Sequence, residues 1–265
     1  MKIYIMADIE GISGIYHREQ VVQSGSRYNE GRKLMTREAN ICAEALKEAG
    51  VDTVYFHDCH GSGNNVIWEE LSPAIDRVII GSNAEIADRF APCVKDCDGV
   101  ILLGYHAMAG TENAVLEHTF SSAMWQNFWL NGQKSGEARM DAAILGDWGI
   151  PVIMLSGDDK LEKEVREFLP DVPVAVVKEG LGCMSALMLS PEKAKEEIRT
   201  KTIEAIKNID KAKPYKVSSP VEMKVELVER NAVPSPYKKP YMTIYDSRTY
   251  SVTGETAVEA LYRLL

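Results

Sequence analysis

Hydrophobic and polar positions follow two different periods along this chain. Residues 3–7 (Ile3-Tyr4-Ile5-Met6-Ala7) form an uncharged run, β-branched and aromatic, that reads as a short buried strand. From 29 to 49 the period becomes helical, with Leu34, Ala39, Cys42, Ala45 and Leu46 on one side and Gly50 as the stop. Strands are then predicted near 52–57, 77–80, 99–104, 151–155 and 172–177, with helices near 136–148 and 158–169. A further helix opens at Ser190-Pro191, serine at the N-cap and proline at the first helical position.

Near-continuous apolar strands interleaved with helices predict an α/β fold, a mostly parallel sheet with helices on both faces. Two stretches depart from this. Residues 119–131 are aromatic and end on Asn131-Gly132, a turn signal, which predicts an edge strand or hairpin. Past 210 the chain is punctuated by Pro214, Pro220, Pro234, Pro236 and Pro240, and 221–228 alternates apolar with charged residues. That alternation fits an antiparallel strand with one exposed side. The expected organisation is an α/β domain over 1–190 and a smaller α+β subdomain over 191–265.

At 265 residues, 45% hydrophobic and 26% charged, the chain is long enough for a sizeable core. Its net charge of −9 argues against nucleic acid or an anionic membrane surface as partner. No apolar run approaches the roughly 20 residues of a membrane span. Asp8 and Glu10 interrupt the one apolar stretch near the start, so no signal peptide is expected there. Cys42, Cys59, Cys93, Cys97 and Cys183 are odd in number and include no CxxC pair, which predicts reduced thiols in a cytoplasmic protein.

The chemistry is concentrated at strand ends. Asp8 and Glu10 stand two apart where the first strand should finish, followed at once by Gly11. Ligands of open α/β sheets sit at the carboxyl ends of strands, and paired carboxylates there repel unless a cation lies between them. Histidine is scarce, five in all, yet His57 and His60 end the second strand while His106 and His118 follow a later one. Strand alternation puts His57 and His60 on opposite faces, and His60, at the tip before Gly61, is the better ligand. Asp58 is then expected to hold a ring nitrogen of a ligating histidine. Glu137 opens the next helix and adds a carboxylate. Imidazole with carboxylate suits zinc, and a shared carboxylate suits a dinuclear site that activates water for amide or ester hydrolysis.

Each feature alone has a plainer account. Asp8 and Glu10 could cap a helix or sit in a solvated loop, and Glu137 could simply favour a helix N-terminus. Cys59 reads as a small buried hydrophobe, and Trp125, Phe128 and Trp129 as packing or a subunit interface. Their coincidence along one sheet edge favours the metal.

At these residues the chain resembles the D-aminopeptidase family of zinc metallopeptidases. The matching pieces are Ala7-Asp8-Ile9-Glu10-Gly11, His57-Asp58-Cys59-His60-Gly61, Gly104-Tyr105-His106-Ala107, Glu117-His118-Thr119 and Gly136-Glu137. Tyr28–Arg32, Met35–Ala39 and Ser156–Asp159 also match, and the likeness weakens past about 210. The resemblance implies two zinc ions per subunit, with manganese or cobalt as substitutes. Asp8 would bridge them, Glu10, His60, His106 and Glu137 would complete the coordination, and His118 would be the catalytic histidine. It also implies a homodecamer of two stacked rings that cleaves N-terminal D-residues from short peptides. Cys59 departs from the small Ser or Ala more usual at its position.

Two rival readings compete. A magnesium-dependent phosphohydrolase would use Asp8 as nucleophile and Gly157-Asp158-Asp159-Lys160 as its later acidic motif, but Glu10 stands where its general acid should be Asp. A non-enzymatic metal-binding assembly protein is the other.

Overall fold

The computed structural model describes residues 1–81, 88–230 and 232–265. The first half of the chain contributes β1 (Lys2–Ala7), α1 (Tyr28–Glu48), β2 (Thr53–Asp58), β3 (Arg77–Ile79), β4 (Gly99–Leu103), β5 (Trp125–Leu130) and β6 (Gln133–Lys134). Next come α2 (Glu137–Asp147), β7 (Val152–Asp158), α3 (Asp159–Arg166), β8 (Val174–Gly182), β9 (Ser185–Met188) and α4 (Pro191–Lys207). The remainder supplies β10 (Val221–Leu227), β11 (Met242–Ile244), β12 (Thr249–Gly254) and α5 (Ala257–Leu264).

Seven strands form one sheet in the order β3-β2-β1-β4-β7-β8-β9. All its pairings are parallel except that of the edge strand β9 with β8. Alternation along the central strands explains why both faces are covered. Ile3, Ile5 and Ala7 of β1, with Ile101 and Leu103 of β4, pack in one core with α1 and α4. Tyr4 and Met6, with Val100 and Leu102, pack in the other with α2, α3 and the second sheet. Strands buried on both sides need the continuous apolar runs that the sequence shows.

The second sheet is antiparallel, in the order β11-β12-β10-β5-β6. β5 and β6 are the hairpin expected over 119–131, turning at Asn131 and Gly132, both with positive φ. β10 buries every second residue, as its alternation predicted. Trp125 and Phe128 are packed in the core, while Trp129 lies under the Lys224 ammonium. The second sheet therefore draws on residues 125–134 as well as on the C-terminal region, and α4 packs against α1 and the first sheet.

Local predictions needed three adjustments. β7 runs on to Asp158 instead of stopping at 155, because Asp158 is itself the cap of α3, accepting from Lys160 N and Leu161 N. Ser190 occupies the N-cap of α4 in extended conformation, but its side chain makes no capping hydrogen bond. The antiparallel strand β9 and the terminal helix α5 were not foreseen from the sequence pattern.

The strand order reverses at β1, whose neighbours β2 and β4 lead to opposite sides of the sheet. A crevice opens at such a reversal, outside the carboxyl ends of the strands. Its floor is drawn tight by backbone bonds from Asp8 N to Leu103 O (2.8 Å) and from Gly11 N to Gly104 O (2.7 Å). A Cβ on Gly11 would stand 1.9 Å from the Tyr105 carbonyl oxygen, so only glycine allows this approach.

Candidate metal centre

The crevice gathers all five predicted ligands. Asp8 and Glu10 follow β1, His60 follows β2, His106 follows β4, and Glu137 is the first residue of α2. Asp8, Glu10, His106 and Glu137 are buried, with His60 half-buried beside them. His60 Nδ1 lies 2.9 Å from Asp8 Oδ1 and 3.2 Å from Glu10 Oε2. His106 Nε2 lies 3.4 Å from both Asp8 Oδ2 and Glu137 Oε1. Asp8 is thus the carboxylate shared between two halves, one with Glu10 and His60, the other with His106 and Glu137.

The far nitrogen of each histidine decides what the near one offers. His60 Nε2 donates to Val21 O at 2.9 Å, and His106 Nδ1 donates to Ala107 O at 3.1 Å. His118 Nδ1 likewise donates to Leu116 O at 2.9 Å. A carbonyl oxygen only accepts, so each bond places a proton on the far nitrogen and leaves the near nitrogen of a neutral ring with its lone pair. Those lone pairs face carboxylate oxygens. Such a cluster holds together only with protons or cations between its members.

Protonation without a metal shows the size of that demand. Burial by itself would raise Asp8, but the His106 and His60 imidazoles beside it hold the carboxyl well below the usual range. Glu137 is drawn down to about 2 against the same burial, chiefly by His106. His60 and His106 rise well above the ordinary imidazole value, where burial opposes and the facing carboxylates win. Three buried side-chain atoms have no hydrogen-bond partner among the described residues: the acceptors Glu10 Oε2 and His106 Nε2 in this cluster, and the donor Arg139 Nε outside it. The two unmet acceptors fit a metal ion held among these side chains. Among the described residues two groups have ligand atoms within 4.8 Å of one another: Asp8, Glu10 and His106, and His106, His118 and Glu137.

His118 stacks on His106, ring centroids 4.0 Å apart and planes inclined by 13°, with Nε2 3.9 Å from Glu137 Oε1. Its loop is held under strain. Leu116 and Phe120, two residues to either side, have φ of 51° and 61°, a region costly for side chains of this size. The strain persists because the loop is pinned on both sides. Val115 N donates to Asp158 Oδ2 at 2.9 Å, Leu116 N to Cys183 O at 2.8 Å, and Phe120 N to Glu137 Oε1 at 2.7 Å.

Residues 1–265 match the D-aminopeptidase family over their whole length. The D-aminopeptidase of Bacillus subtilis (strain 168) is 35% identical over 215 residues, 81% of this chain and 77% of that protein. The chain belongs to the D-aminopeptidase family. Its fold agrees with that of the Zn-dependent D-aminopeptidase DppA from Bacillus subtilis, described as a self-compartmentalizing protease. That structure matches at a TM-score of 0.91 and 29% identity, covering 100% of this chain and 95% of the other.

Within this D-aminopeptidase fold two expectations need correction. Asp58 does not orient a histidine. Its carboxylate accepts from Asn65 N (2.5 Å), Val66 N (3.1 Å) and Asn65 Nδ2 (2.7 Å), and so braces the 60–66 turn behind His60. The phosphohydrolase reading fails at its second motif, where Asp158 is committed to the backbone of Val115, Lys160 and Leu161. His57 turns away from the cluster, as alternation required, and pairs with the Tyr4 hydroxyl at 2.8 Å. Burial beside Arg89 lowers it to about 4. Cys59 donates to Ala7 O at 3.0 Å, and burial pushes its thiol well above the ordinary value.

Several supporting residues escaped the sequence reading. Arg89 grips Asp141 through two bonds (3.0 and 2.7 Å) and reaches Glu137 Oε2 at 3.2 Å. Lys178 donates to the carbonyls of Glu10, Ile12 and Ile15 at 2.6, 2.9 and 2.6 Å. Glu38 takes Ser13 N at 2.9 Å, and Glu164 takes Met108 N and Gly136 N. Glu38 and Glu164 did carry a signal, since each stands on the buried stripe of its own helix.

Proposed function

We propose that the chain is a dinuclear zinc aminopeptidase that hydrolyses short peptides and releases N-terminal D-residues, with His118 as its catalytic histidine. One observation carries the reading. Three tautomer-locked histidines turn lone pairs toward three buried carboxylates, leaving Glu10 Oε2 and His106 Nε2 without a partner.

The donor set fits zinc, being imidazole nitrogen and carboxylate oxygen with no competing soft ligand required. Asp8, Glu10 and His60 would hold one ion, and Asp8, His106 and Glu137 the other, with manganese or cobalt accepted in their place. Zinc in this setting supplies Lewis acidity and a water acidic enough to ionise near neutral pH.

The protein's own part follows from its hydrogen bonds. Val21 O and Ala107 O keep His60 and His106 in the ligating tautomer. His118, fixed through Nδ1, is free at Nε2 to take a proton and return it to the departing amine. The strained, pinned backbone around it holds that nitrogen beside Glu137. The grouping of His118 with His106 and Glu137 supports a second reading, in which His118 is a ligand itself. Zinc content of His118→Ala separates them, near normal if it moves protons and reduced if it ligates.

Assembly and location extend the proposal. The relative described as self-compartmentalizing supports a homo-oligomer. The form we propose for this chain is a homodecamer of two stacked five-membered rings, which sedimentation would report as ten times the chain mass. No helix of the described residues is long and apolar enough to cross a membrane, consistent with a cytoplasmic enzyme.

Hydrolysis of D-Ala-D-Ala and L-Ala-L-Ala by the zinc-loaded protein, with and without chelator, tests activity and chirality together. Chelator-sensitive cleavage of the D-dipeptide is expected. Preference for the L-dipeptide would overturn the substrate, and silence on both would overturn the peptidase.

A further inference from the structure

Glu164 lies on α3, three residues after Leu161, on the face that the helix buries. The residue is only 5% exposed, yet no cation is paired with it among the described residues. Arg139, whose charge acts on Glu164, bonds Gln133 and Glu167 instead. Burial raises Glu164 to about 7. Both its oxygens are spent on backbone. Oε2 accepts from Met108 N at 2.8 Å, and Oε1 accepts from Gly136 N at 3.1 Å. Met108 is two residues past His106, and Gly136 immediately precedes Glu137.

Gly136 gives independent support. A Cβ there would stand 2.6 Å from Glu164 Oε1 and 3.0 Å from Met108 Cβ. Its φ of −103° and ψ of −171° are open to any residue. The glycine is therefore needed for the contact with the carboxylate and not for the backbone. A buried carboxylate without an ion pair, facing a position kept clear for it, spans the two segments that deliver His106 Nε2 and Glu137 Oε1 to within 3.4 Å.

We propose that Glu164 is a positioning residue, a bracket that sets the spacing of His106 and Glu137 and thereby the fit of one metal ion. The proposal rests on the reading of those two side chains as ligands. In Glu164→Gln one oxygen becomes an NH2 group opposite a backbone N–H, so one arm of the bracket repels. In Gly136→Ala the carboxylate is displaced without altering its charge.

The test is zinc affinity of the full-length protein, measured by competition with a chromogenic chelator, for wild type, both variants, their double variant and His106→Ala. Melting curves and steady-state kinetics at saturating zinc accompany it. Glu164→Gln and Gly136→Ala should each weaken one zinc site about tenfold or more, as loss of a group that orients ligands does. Each should also lower kcat more than it changes KM. The double variant should lose less than the summed effects, since both break one bracket.

If both variants bind zinc like wild type, with or without a lower melting temperature, while His106→Ala loses an ion, the bracket is refuted and the ligand reading stands. If His106→Ala keeps both ions, the ligand reading falls and the proposal with it. Should Glu164→Gln fail to fold, Gly136→Ala decides alone.

Discussion

Two clusters of buried charge share the turn after β1, and they obey opposite rules. Behind the turn, Lys178 is 2% exposed and its ammonium meets three carbonyl oxygens at 2.6–2.9 Å, with Asp158, Glu38 and Glu10 near enough to favour its charge. Glu38 in turn accepts from Ser13 N and the Ser156 hydroxyl. In front of the turn, Asp8, Glu10 and Glu137 face three imidazole lone pairs, and two polar atoms are left unmet. The first cluster carries its own cation on β8. In the described residues the second has no Lys or Arg set among its carboxylates in the same way, and on the proposed reading it is completed by metal ions. The comparison separates buried charge that serves the fold from buried charge that serves chemistry: the mark of the latter is an unmet acceptor, not burial or charge as such.

The sharpest way to break this contrast is to remove the shared carboxylate. Asp8→Ala should strip zinc from the protein and abolish peptide hydrolysis while leaving the fold intact, read by metal analysis and circular dichroism. Retention of both ions would end its bridging role. His118→Ala should lower kcat by roughly 10²–10⁴ with KM nearly unchanged, the range for loss of a general acid or base, with zinc content near normal. Unchanged turnover would remove it from the reaction.

The self-sufficient cluster should answer in stability instead. Lys178→Met leaves three carbonyls without a donor and Glu38 without its cation, at about 3 kcal/mol or more, read by denaturant unfolding of metal-free protein. Burial lowers Lys178 from 10.5 to about 8. Between those values the unfolded chain binds the proton and the folded chain does not, so this group makes stability rise with pH there and stay lowest below about 8. Lys178→Met should flatten that slope. A surface pair gives the smallest effect and the control: Glu48→Ala, which frees the half-exposed Arg199, should change stability by about 0.5 kcal/mol and zinc binding not at all.

The sequence disclosed the candidate metal cluster more fully than the other, for a physical reason. Asp8, His60, His106 and Glu137 all sit at ends of apolar elements, where a change of period is visible, and parallel topology brings strand ends to one edge. Lys178 and Glu38 are far apart in the chain and meet through packing of β8 and α1 against the turn, which no local pattern records. Asp58 shows the same limit. Its place close to His60 was legible, but whether it would turn to a histidine or to the Asn65 backbone depended on the path of the 60–66 turn. Lys178 did leave a trace, being a buried charge that directly follows the apolar run of β8, and Glu38 and Glu164 left theirs as charges on buried helical stripes. The strained turns around His118 left none, since Leu116 and Phe120 take positive φ only under the pull of Cys183 O and Glu137.

Zinc titration of metal-free wild-type protein alongside Asp8→Ala, with bound metal counted by mass spectrometry, tests the central claim most directly. Two ions per wild-type chain and fewer than one in the variant are predicted. A wild-type chain that takes up no zinc, or an Asp8→Ala chain that takes up as much, would contradict the account.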